Sequence, residues 1–161
     1  MGMKKNLNTK KLNIIIMSLI FTTFLIQSNI FAADKLTYGN LEVKIEKFES
    51  DEGNVRVHLY SSERGQYFPA KSDSCFRLII SLIKDKKATV VFDSLPFGDY
   101  ALTVHHDKNL NVKMDKNFWG LPAEGWGLSN NVMPIFCLPD FDDCKFKIDK
   151  SKLTINIKVR N

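Results

Sequence analysis

The sequence has few of the residues that common classes of enzyme and metal site require. It contains three histidines and three cysteines among 161 residues, and none of them stands at the paired spacing of a structural zinc site. His105 and His106 are adjacent, so on a strand they point to opposite sides. No serine, Ser129 included, lies in the G-x-S-x-G turn that presents the nucleophile of α/β-hydrolases. The sequence therefore predicts no catalytic residue and no zinc.

The only long apolar run is short for a membrane span. Ile14–Ile26 would be roughly 20 Å long as a helix, whereas a bilayer core is about 30 Å thick. Lysines but no acids precede this run, and Ala32 and Ala33 follow it. That order predicts a signal peptide over residues 1–33, with an uncleaved membrane anchor as the alternative. We expect a secreted or periplasmic protein, a single domain over residues 34–161, and no membrane span after cleavage.

The predicted mature domain also lacks an excess of either charge. The whole chain has a formal charge of +5, but four of its 23 lysines and arginines lie in the predicted signal peptide, which leaves 19 against 18 acids. Binding to the phosphate backbone of a nucleic acid needs a basic patch. The composition therefore excludes nucleic acid as an expected partner.

The rest of the chain is dominated by alternation of apolar and polar residues, the period of a half-buried strand. Turn-forming residues separate the alternating segments, and the first two segments are expected to form a hairpin. The third is nearly continuous in apolar residues, which predicts a strand covered on both faces. We predict an all-β fold, an antiparallel β-sandwich of about seven strands. The segments are Leu41–Lys47, Val55–Tyr60, Cys75–Ile83, Ala88–Phe92, Tyr100–His106, Lys145–Asp149 and Leu153–Arg160.

Two consecutive motifs resemble known families. Phe92-Asp-Ser-Leu-Pro-Phe-Gly-Asp-Tyr-Ala-Leu-Thr-Val104 resembles the F-x-x-L-P-x-G-x-Y-x-L-x-V turn of prealbumin-like (transthyretin-like) sandwiches. The segments His106–Asp115 and Asn117–Asn131 resemble the bacterial exported family catalogued as domain of unknown function 2141. The resemblance implies a small exported sandwich and no established activity. One departure is Val112, where members of that family tend to have glycine.

One region, Asp107–Asp143, is too long for an ordinary connection, and its aromatic residues indicate an ordered loop before a final hairpin. Its first residues are spaced like a calcium loop, with oxygen-bearing side chains at alternate positions. Val112 stands where such a loop has glycine, and Phe118 where it has a bidentate acid. Calcium is therefore the one possible cofactor, and an Asx-rich turn is the alternative. The predicted ligands are Asp107, Asn109, Asn111 and Asp115.

The same region suggests an organic ligand site. Trp119 and Trp126 are rings on which a sugar can stack, or which can grip an apolar partner, and His106 is the third candidate. The alternatives are that the rings pack the end of the sandwich and that His106 is buried and hydrogen-bonded to the long loop. Among the cysteines, Cys137 and Cys144 are close enough in sequence to form a disulfide.

These observations favour a non-enzymatic binding or scaffold module of the cell envelope, with an envelope protein or a carbohydrate as partner. Two other functions stay open. One is a small hydrolase with His106, Asp107 and Glu124 in its site. The other is a structural domain that binds calcium weakly.

Overall fold

Eight strands form two sheets in the part of the chain that the computed structural model describes, residues 37–134 and 137–161. The predicted signal peptide lies outside these residues. Thr37–Asn161 is one compact unit. No helix within the described residues is long and apolar enough to cross a bilayer.

Most strands coincide with the alternating segments of the sequence. In β1 and β4 the burial alternates residue by residue, with the apolar side chains inward. The strands are β1 (Tyr38–Glu46), β2 (Asn54–Ser61), β3 (Arg77–Ser81), β4 (Lys87–Pro96), β5 (Gly98–Asp107), β6 (Trp126–Leu128), β7 (Phe146–Ile148) and β8 (Lys152–Lys158).

The two sheets confirm the predicted β-sandwich. One has the strand order β4-β1-β8, and the other has the order β3-β2-β5-β6, with β7 also paired to β5. The main core contains inward side chains from both sheets, such as Val43 and Phe92 from the first and Val57 and Leu102 from the second. Tyr100, the third residue of β5, has its ring in this core, and its hydroxyl donates to the Pro96 carbonyl at 2.8 Å.

The predicted hairpins are wrong. β1 pairs with β4 and β8, whereas β2 pairs with β3 and β5. The connection between β1 and β2 therefore carries the chain from one sheet to the other, and so does the turn between β7 and β8. A cluster of turn residues shows that the chain reverses, but both a hairpin and a crossing between sheets need that reversal.

The sandwich is not wholly antiparallel, because β8 lies parallel to β1 over Asn40–Glu46. β8 enters after the crossing from β7 and occupies the edge of β1 that β4 leaves free. Ile157 and Val159 are buried, as predicted, but Leu153 and Ile155 are only half-buried because β8 is an edge strand.

β3 and β6 differ from the prediction for opposite reasons. β3 is an edge strand of the larger sheet, so Leu78 and Ile80 are exposed rather than covered. β6 was not predicted, because Trp126-Gly-Leu128 is too short for alternation to be visible. It makes the number of strands eight rather than seven.

The outer face of the larger sheet is covered over much of its area. A 3-10 helix, Ser62–Tyr67, and a short helix α1, Phe141–Cys144, lie against it. They enclose a second apolar cluster that contains Tyr60, Phe68, Ala101, Leu128 and Cys144. The polar side chains of this face are consequently buried, and His58 is only 5% exposed.

Candidate functional site

From here on, the long loop means the connection from Asp107, at the end of β5, to Gly125, just before β6. It contains most of the residues predicted to bind a ligand or a metal. It has two parts, a base that is polar and a tip that is aromatic. We call Asp107–Asp115 the Asx loop and Asn117–Leu121 the aromatic tip. The Asx loop is anchored on Glu124, which stands two residues before β6.

The structure joins three of the four predicted calcium ligands, Asn109, Asn111 and Asp115, by hydrogen bonds within the Asx loop. The amide of Asn109 donates to one oxygen of Asp115 at 2.7 Å, and the amide of Asn111 donates to the other at 3.0 Å. Asp107 accepts a hydrogen bond from the backbone N–H of Val112 at 3.1 Å. These bonds are those of an Asx-rich turn, which is the alternative that the sequence left open.

The backbone of the Asx loop turns sharply at Val112, between two Asx hydrogen bonds. The N–H of Asn111 donates to Asn109 Oδ1 at 3.1 Å, and the N–H of Lys113 donates to Asn111 Oδ1 at 2.7 Å. Val112 has a φ of 70°, the left-handed conformation for which calcium loops use glycine at this position. A β-branched side chain is strained there, so the turn forms although its sequence disfavours it.

Asp107 is the most buried member of the Asx loop. Its side chain is 1% exposed, and Arg56 Nη1 lies 4.0 Å from Oδ2. The other oxygen, Oδ1, has no hydrogen-bond partner among the described residues, and neither has Oδ1 of Asn54, the residue paired with it across β2 and β5. A buried acceptor without a donor is costly, and a cation or a water is what such an atom binds.

Glu124 ties the base of the long loop to the sheet. Its carboxylate accepts hydrogen bonds from His105 Nε2 at 2.8 Å and from the backbone N–H groups of Lys108 at 3.0 Å and Asp115 at 3.1 Å. Burial raises the pKa of this carboxyl, but the hydrogen bonds outweigh burial and hold the pKa below its usual value. The sequence did not indicate this pair, because His105 and Glu124 are distant along the chain.

The histidines lie on both faces of the larger sheet. His58 and His105 are on the outer face, and burial lowers the pKa of His58 to about 4, helped by the charges of Arg56 and His105. His106 is on the inner face, fully buried, with its ring edge-on to Phe48 at 5.1 Å.

His106 is therefore a core histidine, as one of the alternatives predicted, but its partner differs. Its Nε2 donates to the Glu52 carbonyl between β1 and β2 at 2.9 Å, and only its backbone N–H bonds the long loop, at Gly125. The hydrolase residues His106 and Glu124 lie on opposite faces of β5 and are not brought together.

The aromatic tip presents two large rings to solvent. Phe118 is 94% exposed and Trp119 is 80% exposed. The rings lie 5.5 Å apart and nearly perpendicular, at 85°. The turn beneath them is fixed by Asn117, whose Oδ1 accepts the N–H groups of Trp119 at 2.9 Å and Leu121 at 3.1 Å. Gly120, with a φ of +76°, closes this turn.

A family described as "Uncharacterized protein conserved in bacteria (DUF2141)" matches residues 43–156 of the chain. The chain belongs to this family. The match contains the whole long loop, so the Asx loop and the aromatic tip are part of the DUF2141 domain. The searches of the curated proteins and of the solved structures found no match.

In this DUF2141 chain the two predicted ligand-binding tryptophans are separated. Trp126 lies in β6, paired with His105, and is half-buried against the second apolar cluster. Its backbone also exchanges hydrogen bonds with Arg160. Trp126 thus helps to hold the loop against the sheet, and Trp119 is the tryptophan that faces solvent.

The three cysteines of the DUF2141 domain are free. Cys137 is exposed and Cys144 is buried, so the predicted disulfide between them is not formed in this structure. Burial raises the pKa of Cys144 to about 11. Nearby, the Ser129 hydroxyl donates to the Cys144 carbonyl at 2.6 Å and accepts the N–H of Leu102 at 3.0 Å. Ser129 is fully buried and joins β5 to α1.

Two further observations concern possible metal ligands and the position of the main cleft. Within residues 37–134 and 137–161, no group of three or more His, Cys, Asp or Glu side chains is placed to hold a metal. A cation at the Asx loop would therefore depend on asparagine and backbone oxygens as well as its two aspartates. A cleft of about 450 Å³ opens elsewhere, near α1, and none of the predicted site residues lines it.

Proposed function

We propose that this DUF2141 domain is a binding module of the bacterial cell envelope and that the aromatic tip is its contact surface. The observation that carries the proposal is the exposure of Phe118 and Trp119 on a turn that the protein holds in place. Exposed apolar patches of this kind are typical of interaction sites.

The construction of the loop supports a binding role for its tip. Trp119 and Leu121 are positioned by Asn117, and the loop is anchored by Glu124. A loop that is ordered before binding loses less conformational entropy when a partner arrives. Packing of the sandwich does not account for these rings, since each is at least 80% exposed.

The proposal is tested with envelope fractions from a bacterium that carries the gene. Residues 37–161, which contain both sheets and both apolar clusters, are purified and checked for folding by circular dichroism. Binding to inner membrane, outer membrane and peptidoglycan is then compared with that of Phe118→Ser/Trp119→Ser. The matched control is Leu82→Ser/Val91→Ser, which removes two other exposed apolar side chains.

We expect the domain to bind at least one fraction, the tip variant to lose at least 90% of that binding, and the control to keep it. Equal binding by the tip variant, or no binding to any fraction, would overturn the proposal.

A second candidate function is supported by the Asx loop. We propose that the loop binds calcium weakly, because Asp107 Oδ1 is buried without a donor and Val112 has the conformation of the calcium-loop glycine. Only two carboxylates would face the ion, which places the dissociation constant in the range of about 10⁻⁴–10⁻³ M.

Isothermal titration with calcium tests this candidate. Asp115→Asn is expected to abolish the binding heat, because it removes one of the two charges. Asp142→Asn, an exposed residue of α1, is the control and should leave the heat unchanged. An absence of heat for the unaltered domain at millimolar calcium contradicts the candidate.

A further inference from the structure

The apolar surface of the long loop extends beyond the two rings. Its members are spread over twelve residues, and each is more than half exposed. They are Leu110, Val112, Phe118, Trp119 and Leu121. Sites for small molecules are generally concave, and the perpendicular rings of Phe118 and Trp119 share no common plane on which a sugar could stack. Exposed apolar side chains on a loop instead suit insertion into a second apolar phase.

The charges of the loop are sorted in a way that complements an anionic surface. The carboxylate of Asp115 accepts hydrogen bonds from two asparagine amides. The carboxylate of Glu124 is buried and accepts three hydrogen bonds. Lys108 is neutralised by an ion pair with Glu49 at 3.0 Å. Lys113 and Lys116, by contrast, are exposed on either side of Asp115. The carboxylates of the loop are thus engaged within the protein, whereas Lys113 and Lys116 are exposed in the same loop as the rings.

Exposed tryptophan and lysine side chains on one surface are the combination found at the boundary between lipid headgroups and acyl chains. Aromatic rings enter the boundary, and lysines are attracted by anionic headgroups. We propose that the aromatic tip docks on the surface of an anionic lipid bilayer, with Phe118, Trp119 and Leu121 inserted and Lys113 and Lys116 at the headgroups. This inference rests on the proposed function, since it names the partner of the same site.

The test uses synthetic vesicles, which contain neither protein nor glycan. Residues 37–161 are mixed with vesicles of phosphatidylglycerol and phosphatidylcholine in equal parts, and separately with phosphatidylcholine alone. Binding is measured by co-sedimentation, and the environment of Trp119 by its fluorescence. Trp126 is half-buried and contributes a constant background, which is determined from Trp119→Phe.

We expect binding to the anionic vesicles with a blue shift of the Trp119 emission, and at least tenfold weaker binding to the neutral vesicles. Phe118→Ser/Trp119→Ser should lower the partition coefficient at least tenfold, whereas Leu82→Ser/Val91→Ser should not change it. Lys113→Gln/Lys116→Gln should lower binding to the anionic vesicles roughly tenfold, and added salt should have the same effect on the unaltered domain.

Two results would overturn the inference: no binding to either kind of vesicle, or vesicle binding that the tip variant retains. If the domain does not bind vesicles but its binding to an envelope fraction still requires the tip, the partner is a protein or a glycan. The proposed function then stands, and only the lipid partner is wrong. If both experiments fail, the proposed function falls as well.

Discussion

At the base of the long loop the charged side chains Asp107 and Glu124 are buried, whereas at its tip the apolar side chains Phe118 and Trp119 are exposed. Each end departs from the usual relation between polarity and burial, but the base compensates for most of its departure within the protein, where Asp107 Oδ1 still lacks a donor. Glu124 has three hydrogen-bond donors, and Asp107 has Arg56 and the Val112 amide. The rings have only each other. We conclude that the base stabilises the domain, whereas the tip is the part for which we propose a partner.

The largest expected effect is at the base. Glu124→Ala should lower the free energy of unfolding by about 3 kcal/mol, because it leaves His105 and two backbone N–H groups without their acceptor. Urea denaturation measures the loss, and hydrogen exchange at Lys108 and Asp115 should become faster. Glu63→Ala, on the exposed 3-10 helix, is the control. A loss below 1 kcal/mol would show that the loop is not anchored through Glu124.

The next effect depends on pH and on His58. Burial holds its pKa at about 4 in the folded domain, against 6.5 for a histidine in water, so between these values only the unfolded chain takes up the proton. The contribution of His58 is therefore complete above pH 6.5 and is lost as the pH falls toward 4, which amounts to about 2 kcal/mol between pH 7.5 and pH 5. His58→Gln should flatten the pH dependence of urea denaturation by that amount. If His58→Gln leaves the pH dependence of the unfolding free energy unchanged, His58 takes up a proton as readily in the folded domain as in the unfolded chain.

A smaller effect, of opposite sign, is expected in the Asx loop. Val112→Gly should stabilise the domain by up to about 1 kcal/mol, because glycine adopts the φ of 70° without strain and this gain exceeds the added entropy of the unfolded chain. Thermal denaturation measures it, with Val91→Gly, in the middle of β4, as a control that should destabilise. Destabilisation by Val112→Gly would show that the valine side chain stabilises the loop.

The smallest effect on stability is expected at the tip. Phe118→Ser/Trp119→Ser should change the free energy of unfolding by less than about 0.5 kcal/mol, since neither ring is buried. Thermal denaturation checks this directly. A loss above 1 kcal/mol would place the rings in the folded core, and the contrast between base and tip would disappear.

The sequence predicted the positions of the strands better than it predicted which strands pair with each other. Alternation identifies Val43, Val57 and Val104 as inward residues, because the side chains of a strand alternate whatever strand lies beside it. It does not show which sheet a strand joins, so the hairpins were wrong and the parallel pairing of β1 with β8 was missed. β6 was missed because three residues cannot display a period.

The candidate site was predicted in part, for a similar reason. The Asx loop is local, so its turn of aspartate and asparagine side chains could be predicted from their spacing alone, and calcium binding by these residues stays a prediction. The anchoring of Glu124 by His105, and the different burial of the two tryptophans, depend on contacts between residues that are distant in sequence. The exposure of Trp119 could not be separated from packing without the fold.

The place of β8 has a consequence for how the domain is made. β1 is the first of the eight strands and stands in the middle of its sheet, and the strand that completes that sheet is the last of the eight to be synthesised. Nearly the whole domain must therefore be available to fold before this half of the sandwich can close. A premature stop codon before Lys152 yields a chain that has every residue of the long loop but lacks β8, so the sandwich that supports the loop is not stable.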